Sequence, residues 1–162
     1  MADKEKSAEL IMKLYDLRRE EVMRQARTWF FTFNPDSIED VFKEATGPNN
    51  AFYRMVTSYW DMACSFVNHG AIDEEMFNDA NQEHNFVYSK IQPFIAEIRA
   101  KTGPKYMAHL EQVVMRQPEA ETRLENLRNM ARQMAAARAA GAPPVWSTEQ
   151  PSTGGSPSSL AE

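Results

Sequence analysis

Apolar residues recur every three or four positions along most of this 162-residue chain, and this spacing restricts its fold more than any other feature. The clearest case is the segment from Phe52 to Val67, whose apolar stripe leaves a polar strip on the opposite face. No segment alternates apolar and polar residues for long enough to predict a strand. The sequence therefore predicts an all-α fold, a helical bundle of about five to six helices.

Glycine and proline pairs mark the predicted helix ends, as at Asn34-Pro35, Gly47-Pro48 and Gly103-Pro104. Gly70 is placed to end the Phe52–Val67 helix, and Asp73 is placed to cap the next one three residues later. So short a connection favours two neighbouring antiparallel helices. We therefore expect a central helical hairpin, with a kink in its second helix at Pro93.

The composition divides the chain into three parts. Residues 1–117 are predicted to form the bundle. Residues 118–140 begin with Pro118 and are rich in Ala, Arg, Met and Leu, which favour helix. They carry a narrow apolar seam typical of a coiled coil or docking helix. Residues 141–162 are dominated by Pro, Ser, Thr, Gly and Ala, so we expect a disordered tail.

The distribution of charge argues against a nucleic-acid partner. The formal net charge is −5, and between Thr32 and Ala100 eleven acidic residues face only four basic ones. Such a surface repels phosphate backbones. The first apolar run, Leu10–Met12, is too short for a signal peptide or a membrane span. With a single cysteine that cannot form an internal disulfide, these features predict a cytoplasmic location and no membrane contact.

The chain contains no motif of a familiar catalytic or metal site. A di-iron bundle needs Glu-x-x-His, but the residues three before the histidines are Phe66, Asn81 and Tyr106. Cys-x-x-Cys, His-Glu-x-x-His and glycine-rich phosphate loops are also missing from the sequence. Cys64 lies beside an apolar stripe and is interpreted as a buried, unreactive thiol. We therefore predict no metal, no cofactor and no catalytic residue.

His84 interrupts the apolar seam of the second hairpin helix, and two interpretations remain open. The simpler one is a core histidine whose ring hydrogen-bonds to a neighbour. The alternative is a small-ligand-binding or enzymatic pocket lined by His84, Tyr59, Tyr88 and Asn81.

The favoured functional hypothesis is a non-catalytic protein-interaction or scaffolding module that binds a protein partner or a second copy through residues 119–140. The predicted anchors of that helix are Leu124, Leu127, Met130 and Met134. The alternative for the same helix is packing on its own bundle. A weaker hypothesis makes Trp146, within residues 143–150, a short docking motif.

One stretch of the hairpin is also similar to a known family. Tyr59-Trp60-Asp61, the junction Val67–Phe77 with its Gly-Ala-Ile-Asp-Glu-Glu, and Ile91–Arg99 resemble small bacterial all-helical domains of unknown function. The likeness covers about Phe52–Lys101. It implies an all-helical fold and supplies no catalytic residue. Some members carry a membrane helix before the domain, but the sequence predicts none here, so the resemblance is not expected to imply membrane association.

Overall fold

The computed structural model describes residues 3–142, and every regular element in that range is a helix, as the sequence predicts. A 3-10 turn, Gln92–Phe94, separates α6 from α7. The helices are α1 (Lys4–Arg18), α2 (Glu21–Thr32), α3 (Ile38–Thr46), α4 (Asn50–Asn68), α5 (Glu74–Ala80), α6 (Glu83–Ile91), α7 (Ile95–Thr102), α8 (Ala108–Met115) and α9 (Ala120–Ala139). Residues 143–162 of the predicted tail, with Trp146, lie outside the described residues.

Residues 3–142 form more helices than the five to six predicted, because the predicted first helix, about Lys4 to Phe31, and the predicted second helix of the hairpin are each divided. The first breaks between α1 and α2, where the Glu20 carboxylate accepts hydrogen bonds from the backbone N–H groups of Val22 (3.1 Å) and Met23 (2.8 Å). The second breaks between α5 and α6, where Asn81 has extended backbone angles. Neither break contains glycine or proline, so the sequence pattern gives no strong signal for it.

The junction between α4 and α5 is built as the sequence predicts. Gly70 has a φ of 71°, a left-handed conformation that closes α4, and the Asp73 carboxylate accepts a hydrogen bond from the Met76 N–H (2.9 Å). Farther on, the expected irregularity at Pro93 is the 3-10 turn. The second arm of the hairpin therefore consists of several short helices.

Helix α4 forms the centre of the bundle, with α2 and α8 as its main neighbours and α3 and α6 beside them. The ring of Trp60 on α4 is fully buried and lies 6.4 Å from that of Phe77 on α5 and 5.8 Å from that of His84 on α6, between centroids. These contacts join the two arms of the predicted hairpin. A large aromatic side chain buried at this position stabilises the fold through its apolar area.

A partly buried ionic cluster joins α1, α2 and α4 to the start of α6. The Arg27 guanidinium binds the Glu83 carboxylate through Nε (2.8 Å) and Nη2 (2.5 Å), and Arg18 Nη1 lies 3.7 Å from the same carboxylate. The indole N–H of Trp60 donates to it as well (3.3 Å). The adjacent residues Glu83 and His84 thus both lie beside Trp60, Glu83 at its indole N–H and His84 near its ring.

Helix α9 packs on α6, with smaller contacts to α2 and α8. Leu124 is fully buried and Ala131 is 5% exposed, so the first three turns of α9 contribute to the core. Its last turn, from Ala136 to Ala139, is exposed. No helix within residues 3–142 is long and apolar enough to cross a membrane.

Candidate functional site

Each of the four residues of the predicted pocket hydrogen-bonds to a different partner. The Tyr59 hydroxyl donates to the Leu14 carbonyl (2.5 Å), and the Tyr88 hydroxyl donates to Glu111 (2.8 Å). The Asn81 amide donates to the carbonyl of Phe77, one turn earlier (3.1 Å). The four cavities that we describe are lined by other side chains, apart from Tyr59.

His84 is fully buried in a network of amide side chains. Its Nε2 lies 3.1 Å from Asn78 Oδ1 and 3.3 Å from Gln117 Nε2, and Gln117 also donates to Asn85 Oδ1 (3.0 Å). Nδ1 has no partner among the described residues. Burial, with a smaller effect of the nearby Arg123 guanidinium, lowers the pKa of His84 to about 3. The network ties α5 and α6 to the segment before α9, and burial keeps the imidazole neutral at physiological pH.

The four predicted anchors of α9 are placed differently. Leu124 is fully buried and contributes to the core, whereas Leu127 and Met134 are half-buried. Met130 is 40% exposed and is the anchor most accessible to a partner. The seam therefore faces its own bundle at one end and is partly exposed farther along.

The groove with the largest volume of those described, about 850 Å³, runs along the outer face of α4. One wall is formed by α4 itself and the other by the segment between α7 and α8. Met62 at its edge is 40% exposed, and Phe66, one helical turn farther on, is 39% exposed, so apolar surface continues beyond the groove. The lining residues are Ala51, Arg54, Met55, Thr57, Ser58, Tyr59, Asp61, Met62, Lys105, Tyr106 and Met107.

Three hydrogen bonds hold the second wall in place. The hydroxyls of Tyr53 and Tyr106 are 2.8 Å apart, and Arg99 Nε donates to the Tyr106 carbonyl (3.0 Å). The Leu110 N–H donates to Asp61 Oδ1 (2.9 Å), which anchors the start of α8 to α4. These bonds position the wall before any partner arrives, so less ordering entropy is lost on binding.

Met107 has an unusual backbone conformation within this wall. Its φ of 51° is left-handed, which is uncommon for a residue other than glycine, asparagine or aspartate. The side chain is only 3% exposed and lies beneath the groove. A strained backbone of this kind costs about 1–3 kcal/mol and persists where the surrounding contacts impose it.

The rim of the groove carries uncompensated positive charge. Arg54 and Lys105 are exposed, and within residues 3–142 neither has a carboxylate oxygen within 4 Å of its charged nitrogens. The one carboxylate lining the groove, Asp61, accepts the Leu110 N–H. The groove thus combines an apolar floor with a rim that favours acidic groups.

The described residues place no three His, Cys, Asp or Glu side chains close enough to bind a metal ion together. Cys64 is fully buried, and burial raises the pKa of its thiol well above the usual range. The thiol is therefore not positioned as a nucleophile.

Sequence reasoning missed the α4 groove because the apolar stripe from Phe52 to Val67 was interpreted only as the face that packs in the bundle. The available signal was the width of the apolar arc on α4. Met62 lies outside the apolar positions that face the other arm of the hairpin, yet it extends the apolar surface along the helix. An arc wider than the core needs indicates a surface available to a partner.

The fold and the groove define an all-helical domain that presents an apolar surface with a basic rim. The family described as "Domain of unknown function (DUF4760)" matches residues 6–117, and the chain belongs to this family. The resemblance seen in the Phe52–Lys101 stretch is thereby confirmed and extends over most of α1 to α8. No curated protein and no solved structure matches the chain.

Proposed function

We propose that this domain is a non-catalytic protein-interaction module that binds an amphipathic helix of a partner protein in the α4 groove. The observation that carries the proposal is the open groove of about 850 Å³, with Met55 and Met62 along one wall and Met107 beneath it. Helix-in-groove binding is a recurring mode in which apolar side chains on one helical face enter such a surface.

The methionines make this surface adaptable. Methionine is unbranched and has a polarisable sulfur, so its side chain can fit apolar groups of different shapes. Covering the exposed parts of Met62 and Phe66 would contribute about 25 cal/mol per Å² of apolar area removed from water. Met55, which also lines the groove, is already half-buried in the unbound protein.

The basic rim indicates the chemistry of the partner. Arg54 and Lys105 flank the groove without a nearby carboxylate among the described residues, so acidic side chains beside the partner's apolar face would be favoured. We therefore infer a partner helix with apolar residues three and four positions apart and glutamate or aspartate flanking them.

Helix α9 supplies a second candidate surface for the same function. On its distal turns Met130 is 40% exposed and Met134 is half-buried. We therefore also propose that a protein partner or a second copy of the chain binds α9 at these residues. The anchor Leu124 cannot take part without leaving the core, because it is fully buried.

A displayed library of helical peptides, selected against the full chain, tests the proposal. We expect enriched peptides with a regular apolar face and acidic flanks. Their affinity should fall about tenfold or more with Met62→Glu, which places an unpaired charge at the apolar edge. Met12→Glu is the matched control, since Met12 is 59% exposed on α1 and lies outside the groove.

Met130→Glu distinguishes the two surfaces in the same assay. Loss of binding with Met62→Glu alone would support the α4 groove as the binding site. Loss of binding with Met130→Glu alone would instead support α9 as the binding site. Equal binding by all three variants would refute both surfaces. Light scattering of the unmodified chain and of Met130→Glu then tests whether a second copy binds through α9.

A further inference from the structure

A second, smaller cleft opens between α9, the 3-10 turn and the segment that joins α2 to α3. Its volume is about 180 Å³, below the roughly 300 Å³ at which pockets for drug-sized ligands begin. The cleft therefore has room for one small chemical group but not for a whole drug-sized ligand. The lining residues are Asn34, Pro35, Asp36, Lys90, Pro93, Phe94, Arg128, Ala131 and Arg132.

Lys90 brings a buried, partly charged amino group to this cleft. Lys90 is 3% exposed. Its Nζ donates to the carbonyls of Phe30 (2.9 Å), Phe31 (2.9 Å) and Phe33 (2.7 Å) at the end of α2. Nζ also lies 4.4 Å from the ring centroid of Phe86. Burial, with a smaller effect of the Arg138 guanidinium, lowers the pKa of Lys90 to about 7. Near neutral pH Lys90 therefore carries part of a positive charge, and the partial negative charge of the α2 C-terminus favours its ammonium form.

Two arginines of α9, one turn apart, add to this charge. Arg128 Nη1 donates to the Ser89 carbonyl (3.1 Å) and to Gln92 Oε1 (2.7 Å), which fixes its guanidinium at the cleft. Arg132 Nη2 lies 3.8 Å from Asp36 Oδ1, in an exposed and therefore weak pair. Among residues 3–142, no carboxylate oxygen lies within 4 Å of the charged nitrogens of Arg128 or Lys90.

We propose that this cleft binds a phosphate group, either inorganic phosphate or the phosphate of a small monoester. Two guanidinium groups line the cleft beside one carboxylate, which leaves an excess of one positive charge in a partly enclosed space before any contribution from Lys90. A phosphate group is attracted by that excess and offers several acceptor oxygens to guanidinium donors that approach from α9. The site is separate from the α4 groove and does not depend on the function proposed for it.

Calorimetric titration of the full chain with inorganic phosphate and with phenyl phosphate tests the proposal, at pH 7.5 and constant ionic strength. Most phosphate is then dianionic. We expect binding of at least one of the two ligands, weakened about tenfold by Arg128→Gln and by Arg132→Gln, as loss of one charged hydrogen bond predicts. Asp36→Asn should tighten binding, because it removes the one competing carboxylate.

The comparison among variants decides the outcome. Arg132 and Asp36 are exposed, so their variants are expected to fold normally, and circular dichroism checks this. Arg19→Gln removes the same charge from an exposed pair outside the cleft and should leave the affinity unchanged. A phosphate ester that binds when inorganic phosphate does not would identify the ester as the ligand. Binding of neither ligand, or equal binding by the Arg132→Gln and unmodified chains, would overturn the proposal.

Discussion

The buried His84 predicts that the protein loses stability as the pH falls through the range in which free histidine becomes charged. In the unfolded chain the imidazole has a pKa of about 6.5. In the folded protein burial lowers the pKa of His84 to about 3. Between these values the unfolded state binds a proton that the folded state does not, so the free energy of unfolding rises with pH.

The network around the ring gives a structural reason for the neutral form. If Nε2 carries the hydrogen, it donates to Asn78 Oδ1, and Nδ1 is left unprotonated. Charging the ring would place a second hydrogen on Nδ1, which has no partner among the described residues. The positive Arg123 guanidinium acts in the same direction. Protonation would thus bury an unpaired donor together with a charge.

The expected magnitude follows from the two pKa values. Below pH 6.5 each unit of pH costs about 1.4 kcal/mol, so the free energy of unfolding should be about 2 kcal/mol lower at pH 5 than above pH 7. Urea unfolding followed by circular dichroism between pH 7.5 and 5 measures this loss before most carboxylates titrate. His84→Gln keeps an amide at the position and should remove most of the pH dependence. His69→Gln, at an exposed position, should retain it.

The same slope in His84→Gln as in the unmodified chain would refute the reasoning. A small slope of the free energy of unfolding against pH in all three proteins would also refute it, because the folded state would then accommodate the charged ring.

Two further predictions concern the buried charges. Glu83→Gln should destabilise the fold by about 2 kcal/mol, because it leaves Arg27 and Arg18 without their carboxylate, whereas Glu74→Gln in the exposed pair with Arg116 should change stability by less than about 0.5 kcal/mol. Urea midpoints of the two variants make the comparison, and equal midpoints would contradict it. Lys90→Met should cost about 2 kcal/mol in the same assay, because three carbonyls at the end of α2 lose their donor, and an unchanged midpoint would count against that role.

The local features of the fold were predictable from the sequence where one residue type determines them. Gly70 and Asp73 have conformations or hydrogen bonds that few other residues provide, so the α4–α5 junction was correctly predicted. The break before α2 was not, because glutamate is a rare cap and Glu20 takes that role only through local geometry. Helix periodicity also continues across the break between α5 and α6, which hides it.

The functional surfaces depend on contacts between distant parts of the chain, and sequence spacing does not reveal these. The α4 groove needs Lys105–Met107 opposite α4, and the phosphate cleft needs α9 beside Asp36 and Lys90. The sequence also left two interpretations of His84 open. Its hydrogen-bond partners Asn78 and Gln117 lie on another helix and in a linker, so they could not be read from the helix that carries His84.

Helix α9 lies beyond the residues matched by the family, and its packing leads to a final prediction. Because Leu124 is fully buried against the bundle, a chain that ends at Gln117 should expose the apolar surface beneath it. Burial of one leucine side chain contributes about 1.5–3 kcal/mol, so this chain should unfold at a clearly lower urea concentration than one that ends at Ala142. The second chain retains all of α9 and serves as the control. Equal urea midpoints would mean that α9 contributes no stability, and the distal surface at Met130 would then belong to a helix that is free to leave the bundle and bind elsewhere.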